Sequence, residues 1–405
     1  MTTKFIKLHR AVMAALLPWL APLATAQDVQ APAEEPLVVQ EITCAGNEQT
    51  SCEFIRDHLY LNAGDALDEE QIRNAELRMS ALRNFESVKF RLEKGARRGA
   101  VIVVIEVEEA SPIVREWLLG GSSRTDSERG VFAGRLAHQN LFGKGKIVDF
   151  TGVAVVPIGG DAINEAYDVS LRYVDPQLFD SSRYFAVAGA RWRKRRYEDI
   201  YGNFGSMDAG QLEFTLGRRI ADFSYLSLGI TFRPSNDWVS GRWDSDGSFV
   251  ISSPESYGNP GVTIAYGWST EDDIHFPTQG TTFQIDAGGD YEPSEPEGRS
   301  HVQFRKTWAR AGAYWTLKLG GDPSPEYQTS LGESQLFALS YARPVTPGDI
   351  VQRGRWYIEP GFAIKGYTDS GTVFYEYGLK AGFRADTRIF GYIDLYLLAT
   401  KDGSR

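Results

Sequence analysis

The sequence is poor in most of what metal centres and familiar catalysts are built from. Its 405 residues hold two cysteines and five histidines, and no pair of histidines stands at metal-ligand spacing, so a Cys/His metal centre has no ligand set. No Gly-x-Ser-x-Gly elbow is present. Gly143-Lys144-Gly145-Lys146 has neither the length nor the Ser/Thr of a phosphate-binding loop and reads as a hairpin turn. Beyond the first 23 residues no apolar run approaches the ~20 residues of a spanning helix. Asp and Glu (53) outnumber Lys and Arg (43), for a formal charge of -10, and no segment forms a basic domain, which argues against nucleic acid as a partner. These shortages leave no enzyme signature, no cofactor and no helical membrane domain.

What the chain has instead is alternation. Hydrophobic residues make up 42% and aromatics 12%, with 41 glycines, yet the apolar content is spread out singly. In Gly261–Gly288, Val262, Ile264, Tyr266 and Trp268 share one face against Thr263, Ala265, Gly267 and Ser269, because strand side chains point alternately to opposite faces. Phe283, Ile285 and Ala287 repeat the pattern against Gln284, Asp286 and Gly288. The intervening turn is rich in carboxylates and ends at Pro277 and Gly280, where Pro cannot join a ladder and Gly permits a sharp reversal. Tyr167, Val169, Leu171 and Tyr173 oppose Asp168, Ser170 and Arg172; Leu212, Phe214 and Leu216 oppose Glu213 and Thr215; Leu226, Leu228, Ile230 and Phe232 oppose Thr231 and Arg233. Many such strands in succession suggest a barrel that meets lipid outside and water inside.

The N-terminus reads as a secretory signal peptide over residues 1–26. Lys4, Lys7 and Arg10 precede the apolar run Ala11 to Leu23, and Ala24-Thr25-Ala26 offers a small-residue cleavage site; an uncleaved anchor is disfavoured by the shortness of the run. Removing three basic residues and no acid takes the charge to -13. Residues 27–37 are polar and proline-rich and read as a linker.

A compact α+β unit is expected over 38–110, in the order β-α-α-β-β. Val38 to Thr43 is a strand, Thr50 with Glu53 a capping-box start for a helix carrying Phe54, Ile55 and Leu59 inward. Asp68 opens a second helix with Ile72, Ala75, Met79 and Leu82 at helical spacing. Strands at Ser87–Glu93 and Ala100–Glu108 close the unit. Cys44 and Cys52 are eight positions apart, and in an exported chain a local disulfide is expected, with a metal site the poorer alternative.

In this unit, Gly46-Asn47 followed by Thr50, the pairs Gly64-Asp65 and Leu67-Asp68, and Leu82 to Val88 leading into a strand resemble a polypeptide-transport-associated (POTRA) domain. Further on, NLFGKG (140–145), DPQLFD (175–180) and WSTEDDIHFPTQG (268–280), with Asp272, Asp273, Pro277 and Gly280 as its motif residues, resemble in order the landmarks of the BamA/TamA superfamily barrel, the bacterial surface antigen family. The likeness covers residues 38 to about 400. It implies an antiparallel transmembrane β-barrel over 112–405, for which the alternating runs count about fourteen strands within a range of twelve to sixteen. One of these strands is read as running unbroken from Val302 to Leu319. The cysteines lie outside the usual pattern and would staple the first strand to the first helix.

The resemblance implies an outer-membrane protein with its POTRA domain in the periplasm, in contact with outer-membrane lipids, and unfolded outer-membrane or secreted proteins as clients. A client strand would add to the edge formed by Ser87, Val88, Lys89, Phe90, Arg91 and Leu92. A weak seam between first and last strands, near Arg115–Ser122 and Ile389–Ala399, would assist insertion. Asp168, Arg172, Glu213, Arg233, Asp286, Glu376 and Lys380 would line the lumen, as would Arg191, Arg193 and Arg195 unless the run RWRKRR instead meets lipid phosphates or is a charged strand extension outside the membrane. Three departures from the family stand out. The Arg-Gly-aromatic tip of the inward-folding loop is missing from Ser330–Leu336, where it is expected; Arg353-Gly354-Arg355-Trp356 is the nearby Arg-Gly. Glu271 stands where an arginine is usual, in an acidic cluster with Asp272, Asp273 and His275 that reads as a solvated turn, with a cation site the poorer alternative. The last strand continues past Leu398 as Ala-Thr-Lys-Asp-Gly-Ser-Arg rather than ending on an aromatic. Two other readings stay open: a passive outer-membrane pore, and a scaffold whose barrel anchors a domain that binds a periplasmic partner.

Overall fold

The structure is a computed structural model. It describes residues 37–404 except 125–126, 161–162, 199–202, 244–248, 252–254, 257–258, 274, 291–296, 321–334 and 368–372. The signal segment, nearly all of the linker and most of Ser330–Leu336 therefore lie outside the described residues.

The chain first builds a small unit. β1 (Val38–Ala45) is followed by α1 (Cys52–Asp57), α2 (Glu69–Ser80), β2 (Phe85–Lys94) and β3 (Ala100–Glu109). β3 is central in the order β1-β3-β2, parallel to β1 and antiparallel to β2, and its Val101, Val103, Ile105 and Val107 are buried. The helices pack Phe54, Ile55, Ala75 and Met79 against Val39, Ile42, Val88, Val103 and Ile105 in one buried core. α1 begins one residue later than the Thr50 capping box predicts: Ser51 is its cap, accepting from the Phe54 amide at 3.2 Å. Thr50 is instead buried with its amide on Glu109. Asp68 caps α2 through the Glu70 amide, as expected.

The barrel follows without a break. Its strands are β4 (Ile113–Arg124), β5 (Ser127–Leu141), β6 (Lys146–Gly160), β7 (Ile163–Asp175), β8 (Tyr184–Glu198), β9 (Phe204–Ala221), β10 (Ser224–Trp243), the short β11 (Phe249–Ile251) and β12 (Glu255–Ser256), and β13 (Asn259–Ser269). They continue with β14 (Gly280–Asp290), β15 (Glu297–Arg310), β16 (Ala313–Gly320), β17 (Gln335–Val345), β18 (Val351–Tyr367), β19 (Val373–Thr387) and β20 (Gly391–Ser404). Among the described residues β11 and β12 pair with the far end of β10, which also pairs with β9 and β13, so fifteen long strands make the closed wall.

The count is one more than the expected fourteen because Val302–Leu319 is not one strand. It is a hairpin reversed at Ala311-Gly312, both with positive φ (55° and 72°), the conformation that two-residue hairpin turns require. That extra strand sets the parity. With an odd number of up-and-down strands the last runs alongside the first, and β20 pairs with β4 in parallel from Tyr392↔Glu116 to Ala399↔Ser123. This eight-residue ladder is not the shortest in the wall: β16 and β17 share seven pairs.

The alternation read from the sequence sorts the two faces. Leu171 (52% exposed), Leu228 (50%) and Phe337 (54%) stand outward with Tyr167, Val169 and Ile264. Asp149 (2%) and Glu376 (0%) are enclosed by the wall. Among the described residues no helix is long and apolar enough to cross a membrane.

Candidate functional site

The small unit sits on one mouth of the barrel, over the turns β5–β6, β7–β8 and β9–β10. The Asn140 side chain donates to Thr50 Oγ1 at 2.9 Å, and the Ser51 amide to the Gly143 carbonyl at 2.9 Å. Gly143 and Gly145 have positive φ, and a Cβ on either would lie 2.3 Å from Gln49 O or from the Phe54 ring. The glycines of NLFGKG are therefore fixed by close approach to α1 as well as by the turn itself. The side chain of Gln177, within DPQLFD, donates to Asp57 Oδ2 at 2.8 Å, the Ser182 amide donates to the same carboxylate, and Ser182 Oγ donates to the Asp57 carbonyl at 2.7 Å. Asn74 and Arg78 of α2 bind Asp222 at 2.9 and 2.8 Å. Two landmarks that sequence reading takes as barrel signatures are thus the seat of the small unit.

Within that unit Cys44 and Cys52 are disulfide-bonded, with Cα atoms 5.7 Å apart, joining the end of β1 to the start of α1. Glu109 accepts from the amides of Gln49 and Thr50 at 2.8 and 2.6 Å. Burial alone would raise its carboxyl pKa, and those hydrogen bonds outweigh it and hold the group below the ordinary range. His58 is buried, its Nδ1–H donating to the Phe54 carbonyl at 2.8 Å; burial disfavours the imidazolium and lowers the pKa to about 4.

β2 is an edge of the three-stranded sheet, its far side free of any strand among the described residues. Of its candidate client-binding residues, Val88 is buried in the core and Phe90 packs against it. Lys89 is exposed, Ser87 half-buried, Arg91 exposed and paired with Glu106 at 2.8 Å, and Leu92 is 48% exposed. The side chains point up and down from the sheet, leaving backbone groups along the edge.

Inside the barrel several of the predicted lumen residues meet partners on neighbouring strands. Asp168 accepts from Arg191 Nε at 2.8 Å and Arg193 Nε at 3.3 Å; Arg191 and Arg193 therefore face inward, and Trp192, Lys194 and Arg196 are exposed outside. Arg172 belongs to a chain of cross-strand charges: Arg172–Asp149 at 3.3 Å, Asp149–Arg135 at 2.6 Å and Arg135–Glu116 at 3.0 Å. Glu213 lies against Gly189 on the same inner face. Arg233 and Asp286 share the inner rows of β10 and β14, half-buried. Lys380 lies over the rings of Tyr396 and Tyr357 (4.1 and 5.8 Å), and Tyr357 OH donates to Asp394 at 2.8 Å beside Arg384 at 3.1 Å. Leu118, Val131 and Val155 pack in one apolar cluster with Tyr357, Tyr396 and Leu398.

The turn after β13 departs most from expectation. It is not a solvated acidic turn, and its carboxylates hold protein donors. Asp272 Oδ1 accepts from the amides of Thr278 (2.8 Å) and Gln279 (3.3 Å), and Asp273 Oδ1 from those of His275 (2.8 Å) and Phe276 (2.9 Å). Asp273 Oδ2 binds Arg353 at 2.6 Å, and Glu271 binds Arg305 at 2.8 Å. Burial opposes ionisation of Asp273, but the Phe276 amide and Arg353 hold its pKa below the ordinary range. Arg355 donates to the Pro277 and Phe276 carbonyls at 2.7 and 2.8 Å, and Phe276 is 3% exposed. Thus Arg353 and Arg355, which flank the Arg-Gly nearest the expected loop tip, grip this turn. Gly280 ends it with a positive φ of 121°.

These features define a closed membrane-type barrel carrying an α/β unit at one mouth. CdiB from Acinetobacter baumannii shares the fold, with a TM-score of 0.56 and 10% identity over 91% of this chain and 74% of that one. CdiB from Escherichia coli matches at 0.57 and 10% over 86% and 70%. BamA from Haemophilus ducreyi lacking POTRA domains 1–3 aligns over 92% and 86% at a TM-score of 0.45 and 10% identity. The sequence matches no family model and no curated protein. The likeness to the two CdiB structures is one of fold.

Proposed function

We propose that this protein sits in the bacterial outer membrane and assists the insertion or translocation of other proteins, its small unit serving as a periplasmic POTRA domain. The observation that supports this most is the continuity between an unpaired strand edge and the barrel closure. Arg83, two residues before β2, binds Glu116 on β4 at 3.1 Å, and its carbonyl accepts from Gln139 of β5 at 2.7 Å. A chain that adds to β2 by backbone pairing is thereby held beside the first strand of the barrel. The passive-pore reading is less favoured, because two of the charges read as a pore lining are held by partners on neighbouring strands, Asp168 by Arg191 and Arg172 by Asp149.

The test is to reconstitute the full chain in liposomes and time the folding of an unfolded small barrel protein against empty vesicles. The reading expects acceleration, reduced by Lys89→Pro at the β2 edge, where proline removes a backbone donor. Absence of acceleration by a folded barrel sinks the proposal, and solute conductance without it would restore the pore.

A further inference from the structure

In the ring of fifteen long strands, β13 and β14 are the eighth and ninth, opposite the closure between β20 and β4. Yet the turn that joins them touches both closure strands. His275 stacks on Tyr392 of β20, with ring centroids 3.9 Å apart and planes at 15°, and its Nε2–H donates to Glu116 Oε1 of β4 at 2.9 Å. Tyr392 and Glu116 are direct register partners, the first pair of the parallel ladder. Phe276 meets the same Tyr392 edge-on at 5.8 Å.

The segment is built to hold that course. Its base is closed by the Thr270 amide on the Thr281 carbonyl at 2.9 Å, its backbone is braced by Asp272 and Asp273, and Arg353 and Arg355 of β18 fasten it along the way. At its tip three donors converge on one oxygen: Glu116 Oε1 receives His275, Arg135 at 3.0 Å and Arg83 of the small unit at 3.1 Å. A parallel ladder is less stable per residue than an antiparallel one, so the closure is where an outside clamp has most to contribute.

We propose that the described residues of the β13–β14 turn, Thr270–Asp273 and His275–Gln279, form an internal strap that holds the β4–β20 closure shut, with His275 as its catch and Glu116 as a post shared with the small unit. Release of the catch loosens the closure from its small-unit end, and undocking of Arg83 weakens the same post. The strap requires no assumption about what the barrel transports.

Hydrogen–deuterium exchange of the full chain in lipid nanodiscs tests this. His275→Ala should speed exchange in 116–123 and 392–399 by about tenfold, the effect of losing one hydrogen bond to a charged group. Arg83→Ala should give a smaller increase in the same two segments, with β7 and β8 unchanged in both. Heat-shifted gel mobility establishes that each variant is folded; if His275→Ala is not, His275→Phe keeps the stack on Tyr392, loses the bond to Glu116, and carries the same expectation. Unchanged exchange at the closure overturns the proposal. Equal acceleration around the whole wall overturns it too, because His275 would then be a general stabiliser. Neither result depends on client folding, so failure here and failure of the proposed function are separable.

Discussion

The small unit and the barrel use one sequence code in opposite senses. In the small unit, alternation buries Val103, Ile105 and Val107 under two helices and leaves Lys89 and Arg91 in water. In the barrel the same period turns Leu228, Ile230 and Phe232 outward and encloses Asp149, Glu376 and Asp394. A strand pattern therefore fixes which residues share a face, and the surroundings fix which face is inside. The difference extends to polar groups. Glu109 of the small unit is held by backbone amides, whereas the buried carboxylates Asp149 and Asp394 of the barrel pair with arginines across strands.

The contrast is tested most strongly in the small unit's core. Ile105 is fully buried on the central strand, and Ile105→Ala should cost about 4 kcal/mol from lost transfer and the cavity left behind, read as the urea midpoint at which residues 38–109 become protease-sensitive. Acid should act next most strongly. His58 stays neutral in the fold down to about pH 4, whereas an exposed histidine takes its proton near 6.5. Between those values the unfolded chain binds more protons, so stability is full above about 6.5 and falls as the pH drops, by about 3 kcal/mol at the lower end. His58→Phe should abolish that slope; persistence of the slope would assign it to other groups.

On the barrel the corresponding break is to the outer face. Leu228 lies on β10 between Leu216 and Ile264, at the centre of an outward apolar row. Leu228→Arg should cost about 2–4 kcal/mol in reversible urea folding into vesicles, the cost of placing a guanidinium near the bilayer midplane, while Leu228→Phe should be nearly neutral. A neutral Leu228→Arg would mean that this face is wet, and the inversion between the two regions would fail.

Local signals in the sequence reached far. Period-two runs located the strands and their faces, and caps and breaks located both helices to within a residue or two. Two misses changed the architecture. Ala311-Gly312 was hidden in Val302–Leu319 because apolar residues continue on both sides of it, and that single turn sets the strand parity and makes the closure parallel. The carboxylates of the β13–β14 turn read as solvent-facing because residue type near a turn says nothing of partners far along the chain. Glu116 and His275 are 159 positions apart, and Asp273 and Arg353 are 80. What joins them is the closing of the ring, which no window of sequence contains. The glycines of NLFGKG sit between these cases: the turn was legible, its approach to Phe54 was not.

The smallest effect should come from Arg91 on the β2 edge. Its guanidinium pairs with Glu106 at 2.8 Å and with Glu93, and the side chains of all three are about half exposed. In water such pairs gain little, because solvent screens the attraction and holding long side chains in one arrangement costs rotamer freedom. Arg91→Ala should leave the urea midpoint of the small unit unchanged, in contrast with Ile105→Ala on the neighbouring strand. A clear drop would mean that this face of β2 is not in water in the intact protein. The comparison would then have to be redrawn, with the edge strand covered and its backbone less open to an added chain than the sheet order implies.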